Sequence, residues 1–142
     1  MVALTVAIGL FGLLELMNVG VLYFIPGSRK ANGVGVFAAW ERSKADPELH
    51  QFVRYLVSWV AGTKLIFLAL LAVLLVTGSD QAKTAASAVL AISIAVFFWR
   101  MFPLARRIDA AGQMAPRGYS IFLGTMIAVM VAAFAIGAIT SI

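Results

Sequence analysis

Two ionisable residues stand inside stretches that are otherwise apolar: Glu15 within residues 2–26 and Lys64 within residues 52–78. A carboxylate and an ammonium in such surroundings have three kinds of use. They can relay a proton or ion, anchor a polar group of a substrate, or lock two helices in register, because an ionisable group in hydrocarbon is costly and pairs inside the bundle. Glu15 lies ten residues before Ile25, about 15 Å at the helical rise, and Lys64 lies twelve residues after Phe52, about 18 Å. If the two stretches are consecutive antiparallel helices, both side chains reach a similar depth near the bilayer midplane, and a Glu15–Lys64 contact is expected. Asn18, on the helical face of Glu15, and Thr63, beside Lys64, are positioned to add hydrogen bonds. Lysine beside a carboxylate is also the ingredient of a retinal-type Schiff base with its counter-ion, but four spans are too few to enclose that chromophore.

A second group of candidate residues is basic. Arg54 has His50 one turn before it and Tyr55 next to it, while Arg100, Arg106 and Arg107 close the third apolar run. Long basic side chains near the ends of spans reach the headgroups as anchors. The sharper reading is a pocket at the inner leaflet for an anionic lipid headgroup or a phosphorylated substrate.

Several chemistries are excluded by residue type. The chain has no cysteine and one histidine, which removes disulfides, thiolate nucleophiles, iron–sulfur ligation and bis-histidine haem. No cofactor or metal is expected. No glycine-rich phosphate loop follows a strand, no Ser-His-Asp set can form around His50, and no helix carries paired carboxylates. Eleven Lys+Arg against six Asp+Glu give a net charge of +5. These basic residues flank apolar runs, which fits contact with anionic lipid heads and not with nucleic acid.

The elements that must position these residues follow from composition. Of 142 residues, 63% are apolar and 12% charged, with mean hydropathy +1.00. A single soluble domain of this length would not tolerate that balance, so the expected fold is an all-α integral membrane protein. Four apolar runs, at about 2–26, 52–78, 85–105 and 119–142, are each long enough to cross, and together they form one four-helix domain over 1–142. The first lacks a basic region before its apolar stretch and reads as a permanent span, not a signal peptide.

Arg29, Lys30, Arg42 and Lys44 lie between runs one and two, and Arg106, Arg107 and Arg117 between runs three and four. The termini and the 78–84 turn hold only Lys83. The positive-inside rule therefore places both basic connections in the cytoplasm and both termini outside, in a cytoplasmic (inner) membrane. Asp46-Pro47-Glu48 is a helix-start signal: a capping carboxylate, a proline at the first helical position, and an acid that complements the dipole. Before it, Gly33-Val34-Gly35 reads as flexible, and Val36, Phe37 and Trp40 precede Glu41, Arg42 and Lys44. That order predicts a short cytoplasmic interfacial helix between helices one and two. Phe24-Ile25-Pro26 before Arg29-Lys30 repeats in Met101-Phe102-Pro103 before Arg106-Arg107, an offset that fits two similar hairpins in parallel orientation or, the favoured reading, prolines that end helices and basic pairs that anchor them.

Small residues recur every four positions as Ser87, Ala91 and Ala95, as Gly124, Ala128 and Ala132, and as Ala133, Gly137 and Ser141. Such stripes allow close helix approach, so the fourth span is expected to offer one face within the chain and one to a second subunit. Three functions fit these features. The first is a non-enzymatic accessory or structural subunit of a membrane complex or homo-oligomer, with membrane lipids and other membrane subunits or itself as partners. The alternative is a small transporter or channel using Glu15 and Lys64. The third is a small membrane enzyme acting on lipid-soluble substrates.

Overall fold

The computed structural model describes residues 2–141. Its helices are α1 (Val2–Phe24), α2 (Ala38–Ser43), α3 (Pro47–Thr77), α4 (Asp80–Ala95), α5 (Phe97–Ala110) and α6 (Tyr119–Ile139), with one 3₁₀ turn at Val34–Val36. Taking α4 and α5 as one segment, four helices are long and apolar enough to cross a membrane. The third of these runs over Asp80–Ala110, longer at both ends than its apolar stretch.

Helix boundaries have local causes. Asp46 accepts the backbone N–H groups of Glu48 and Leu49, both at 3.1 Å, ahead of Pro47 at the first helical position. Two otherwise unpaired donors of α3 are thereby satisfied. Ser79 caps α4 by accepting from Ala82 N–H at 3.2 Å. Only Val96 separates α4 from α5, and Pro103 lies inside α5, where its missing N–H leaves one helical bond unmade.

Packing divides the bundle into two seams. α3 lies along α1, and α4 lies along α6; α1 also touches α6 and α4, and α5 packs on α6. One apolar cluster joins Leu4, Ile8 and Phe11 of α1 to Leu71 of α3, Leu90 and Ala91 of α4, and Phe134 of α6. Phe11 meets Phe134 edge to face at 5.3 Å. A second cluster, nearer the other end of α1, joins Val19 and Leu22 to Val57 and Ala61 of α3, with Val34 packed against it. Elsewhere the helices expose large apolar side chains, such as Ile66, Leu70 and Val76 on α3 and Val129 and Ile139 on α6. An aqueous surface would penalise that exposure, whereas a lipid one does not.

The connection between α1 and α2 is packed, not loose. Val34 N–H donates to the Pro26 carbonyl at 2.9 Å and Gly35 N–H to the Ser28 carbonyl at 3.1 Å. Gly33 and Gly35 are buried, and a Cβ on Gly35 would stand 1.9 Å from the Gly27 carbonyl oxygen. The expected flexible glycine stretch is thus a place where two backbone segments touch, which only a residue without a side chain permits. The connection then pairs with the one between α5 and α6: Ala115 N–H donates to the Val36 carbonyl at 2.8 Å, and Ala38 N–H to the Gln113 carbonyl at 2.9 Å. The two basic connections close one end of the bundle together.

Candidate functional site: an acid–base network within the helices

Glu15 and Lys64 sit between the two apolar clusters, on facing sides of α1 and α3. Lys64 Nζ donates to Glu15 Oε2 at 2.6 Å and to Asn18 Oδ1 at 2.7 Å. Glu15 and Asn18 reach the same ammonium because three residues along a helix return to nearly the same face. Asn18, itself buried, uses its amide nitrogen on the next connection, donating to the Ala31 carbonyl at 2.7 Å and the Asn32 carbonyl at 3.2 Å. Ala31 and Asn32 have left-handed φ of 48° and 56°. That conformation bends the loop tip back beside α1, six residues and about 9 Å before its end at Phe24. Asn32 Oδ1 also accepts from Tyr119 Oη at 3.1 Å, so the first turn of α6 joins the same network.

The site is therefore a chain of contacts, Glu15–Lys64–Asn18–loop–Tyr119, spanning three helices and one connection. The side chains of Lys64 and Glu15 remain 29% and 26% exposed. Among the described residues, no buried side-chain nitrogen or oxygen lacks a partner. Thr63, expected to assist the pair, instead donates to the Trp59 carbonyl of its own helix at 3.0 Å. It points along its helix because a hydroxyl can bond the carbonyl four residues back more easily than it can reach across a seam.

An apolar cleft of about 500 Å³ begins beside this pair, between α1 and α3. Gly9, Gly12 and Leu16 form one wall, and Leu65, Ala69 and Ala72 the other.

The basic residues do not form one site. His50 and Arg54 of α3 line a pocket with Trp40 and Lys44. Arg106 lines another with Asp109 and Arg117. Arg100 lies 6.0 Å from the ring of its neighbour Trp99, Arg107 is exposed, and Tyr55 stacks at 6.2 Å on Trp59. The separation follows from packing: α3 lies along α1, while α5 lies along α6.

Asp109 was not singled out by any spacing rule, yet it organises the start of α6. Its carboxylate accepts from Gly118 N–H at 3.0 Å, Ser120 N–H at 2.9 Å and Ser120 Oγ at 2.6 Å. It caps α6 from the preceding helix, and no local sequence pattern announces a cap nine residues away from the chain it serves.

The small-residue stripes also divide. Ser87 Oγ donates to the Phe134 carbonyl at 2.9 Å, Ala91 is buried and Ala95 is half-buried, all on α4. On α6, Gly124 faces the Phe102 ring and Gly137 faces Leu4, whereas Ala128, Ala132 and Ala133 are exposed. The bulk that fills the α6 seam is Phe134, 1% exposed, so the four-residue stripes do not describe its buried face.

No family model matches the chain, and no similar curated protein or solved structure is found. Class therefore rests on the fold: an all-helical chain with four helices able to cross a membrane, which is that of a small integral membrane protein.

Proposed function

We propose that this chain is a non-enzymatic accessory or structural subunit of a membrane assembly, either a homo-oligomer or a larger complex. The observation that carries the reading is the mutual pairing within the Glu15–Lys64–Asn18 network. Lys64 is shared by two acceptors on α1, and Asn18 spends its amide on the loop, so the polar groups at this depth serve one another. A relay needs a chain of further titratable groups, whereas among the described residues the pair continues only to the Asn18 amide and backbone carbonyls. The network instead suits a lock that holds α1, α3 and the loop in one arrangement. The cleft beside it, with Gly9 and Gly12 facing Ala69 and Ala72, supports a neighbouring transmembrane helix as partner, since small residues permit close approach.

The chain contains no cysteine, so single cysteines report contacts cleanly. Ala72→Cys in the cleft is expected to cross-link in native membranes to a second copy or to one discrete larger adduct, while Ile92→Cys on the exposed face of α4 is not. Monomer at both positions, together with loss of ion or solute flux in a folded Glu15→Gln protein, would replace this reading with that of a small transporter.

A further inference from the structure

The pocket at the closed end of the bundle has the parts of an anion site. It holds about 400 Å³ and lies where the end of α1, helix α2 and the first turns of α3 meet. Arg54, His50, Lys44 and Trp40 converge on it, with Gly27 and Ser28 as its floor.

Two of the polar groups, His50 and Lys44, are held by the protein itself. Ser43 Oγ donates its one proton to the Trp40 carbonyl at 2.7 Å and lies 2.8 Å from His50 Nδ1. With the hydroxyl proton committed to Trp40, Nδ1–H donates to Ser43, and Nε2 of the neutral ring is an acceptor that gives an anion no hydrogen bond. The imidazole is also held against the Trp40 ring, centroids 4.8 Å apart. Trp40 is 6% exposed as a residue, and because no buried side-chain nitrogen lacks a partner among the described residues, its indole N–H, which donates to no protein group there, is the part that opens on the pocket. A Cβ on Gly27 would stand 2.6 Å from that nitrogen, so the absence of a side chain at Gly27 is what leaves room beside it. Lys44 is held by Glu41, at 2.7 and 2.9 Å, whereas Arg54 has no carboxylate within salt-bridge distance among the described residues. The pocket therefore offers an anion an unpaired guanidinium and an accessible indole donor, with positive charge in excess and the imidazole as a fixed wall.

We propose that this pocket binds a phosphate group carrying net negative charge. Arg54 would take the phosphate oxygens as a planar fork, a geometry that suits a guanidinium better than an ammonium, and Trp40 N–H would supply a further donor. Exposed apolar residues flank the lining residues along the chain, Phe24 and Ile25 before Pro26, and Phe52 and Tyr55 about Arg54. Those side chains would give the acyl chains of a bound lipid an apolar surface near the headgroup. The inference is independent of the subunit reading, because neither the cleft nor the Glu15–Lys64 pair takes part in it.

The test uses the purified full chain in detergent, with native mass spectrometry of added phosphatidylglycerol, phosphatidylcholine or inorganic phosphate. One phosphatidylglycerol is expected to bind in preference to phosphatidylcholine. Arg54→Gln is expected to weaken it about tenfold, in line with loss of a charge-assisted pair. Trp40→Phe keeps an aromatic ring, though a smaller one, and removes the N–H, and is expected to weaken binding by a smaller factor. Arg100→Gln, whose guanidinium lies against Trp99, is the control and should leave affinity unchanged. Unchanged melting of lipid-free Arg54→Gln separates a binding defect from a folding one. If inorganic phosphate binds the lipid-free protein and loses affinity in Arg54→Gln, the site is upheld with a soluble phosphate as its source. If it does not bind while phosphatidylglycerol does, the source is lipid. Equal binding of both lipids, or equal losses in Arg54→Gln and Arg100→Gln, would overturn the site in favour of diffuse surface charge.

Discussion

The seam between α1 and α3 and the seam between α4 and α6 hold together by different physics. In the first, an ammonium, a carboxylate and an amide sit between two apolar clusters and tie the helices to a folded-back loop. In the second, contact is made by Phe134, Leu90, Ala91 and a glycine, with one hydroxyl of Ser87 on a backbone carbonyl. Lipid supplies no hydrophobic drive between helices, so dispersion and interhelical hydrogen bonds must do the joining in both. A polar seam is unforgiving, because removing one partner strands the other; a small-residue seam loses its energy in increments. The protein thus has one seam that specifies geometry and one that tolerates variation.

The contrast is sharpest at Lys64. Lys64→Met leaves the Glu15 carboxylate without its partner and is expected to cost about 3 kcal/mol or more, read as a lowered unfolding midpoint in detergent. Adding Glu15→Gln should recover most of that loss. If the double variant is as unstable as the single one, the seam does not depend on charge pairing and the contrast fails. Next in size is Gly35→Ala, whose Cβ has no room beside the Gly27 carbonyl. It is expected to cost about 2–3 kcal/mol and to speed amide exchange through residues 30–37, since the loop must leave its position against α1.

Where α5 packs on the same helix α6, outside both seams, Gly124→Ala pushes a methyl to within 2.5 Å of the Phe102 ring. Because that ring is only half-buried and can turn, the expected cost is about 1 kcal/mol, measured by the same unfolding titration. The smallest effect is expected for Ser87→Ala, about 0.6 kcal/mol for one interhelical hydrogen bond. A loss at Ser87 as large as that at Lys64 would erase the distinction between the two seams.

Much of this architecture is legible in the residues, and the limits have physical causes. The meeting of Glu15 and Lys64 is arithmetic on the helical rise once two consecutive spans are antiparallel, and the start of α3 is written locally in Asp46-Pro47-Glu48. The capping role of Asp109 is not legible, because its partners lie at Gly118 and Ser120, beyond a turn whose path no short motif dictates. The division of the basic residues into separate pockets is hidden for the same reason. Arg54 and Arg106 both flank apolar runs, and only the pairing of α3 with α1 and of α5 with α6 parts them.

By itself, then, the sequence determined the class, the four helices and the meeting of Glu15 with Lys64, since hydropathy, proline, capping residues and helical rise act over a few residues at a time. Tertiary structure alone decided which acceptors Lys64 shares, that the Ala31–Asn32 turn reaches back to Asn18, that Gly27 and Gly35 mark close approaches, and that Trp40, His50 and Arg54 face one pocket. Those outcomes depend on contacts between segments far apart in the chain, whose energies come from fit and hydrogen bonding in the assembled bundle and leave no periodic trace along it.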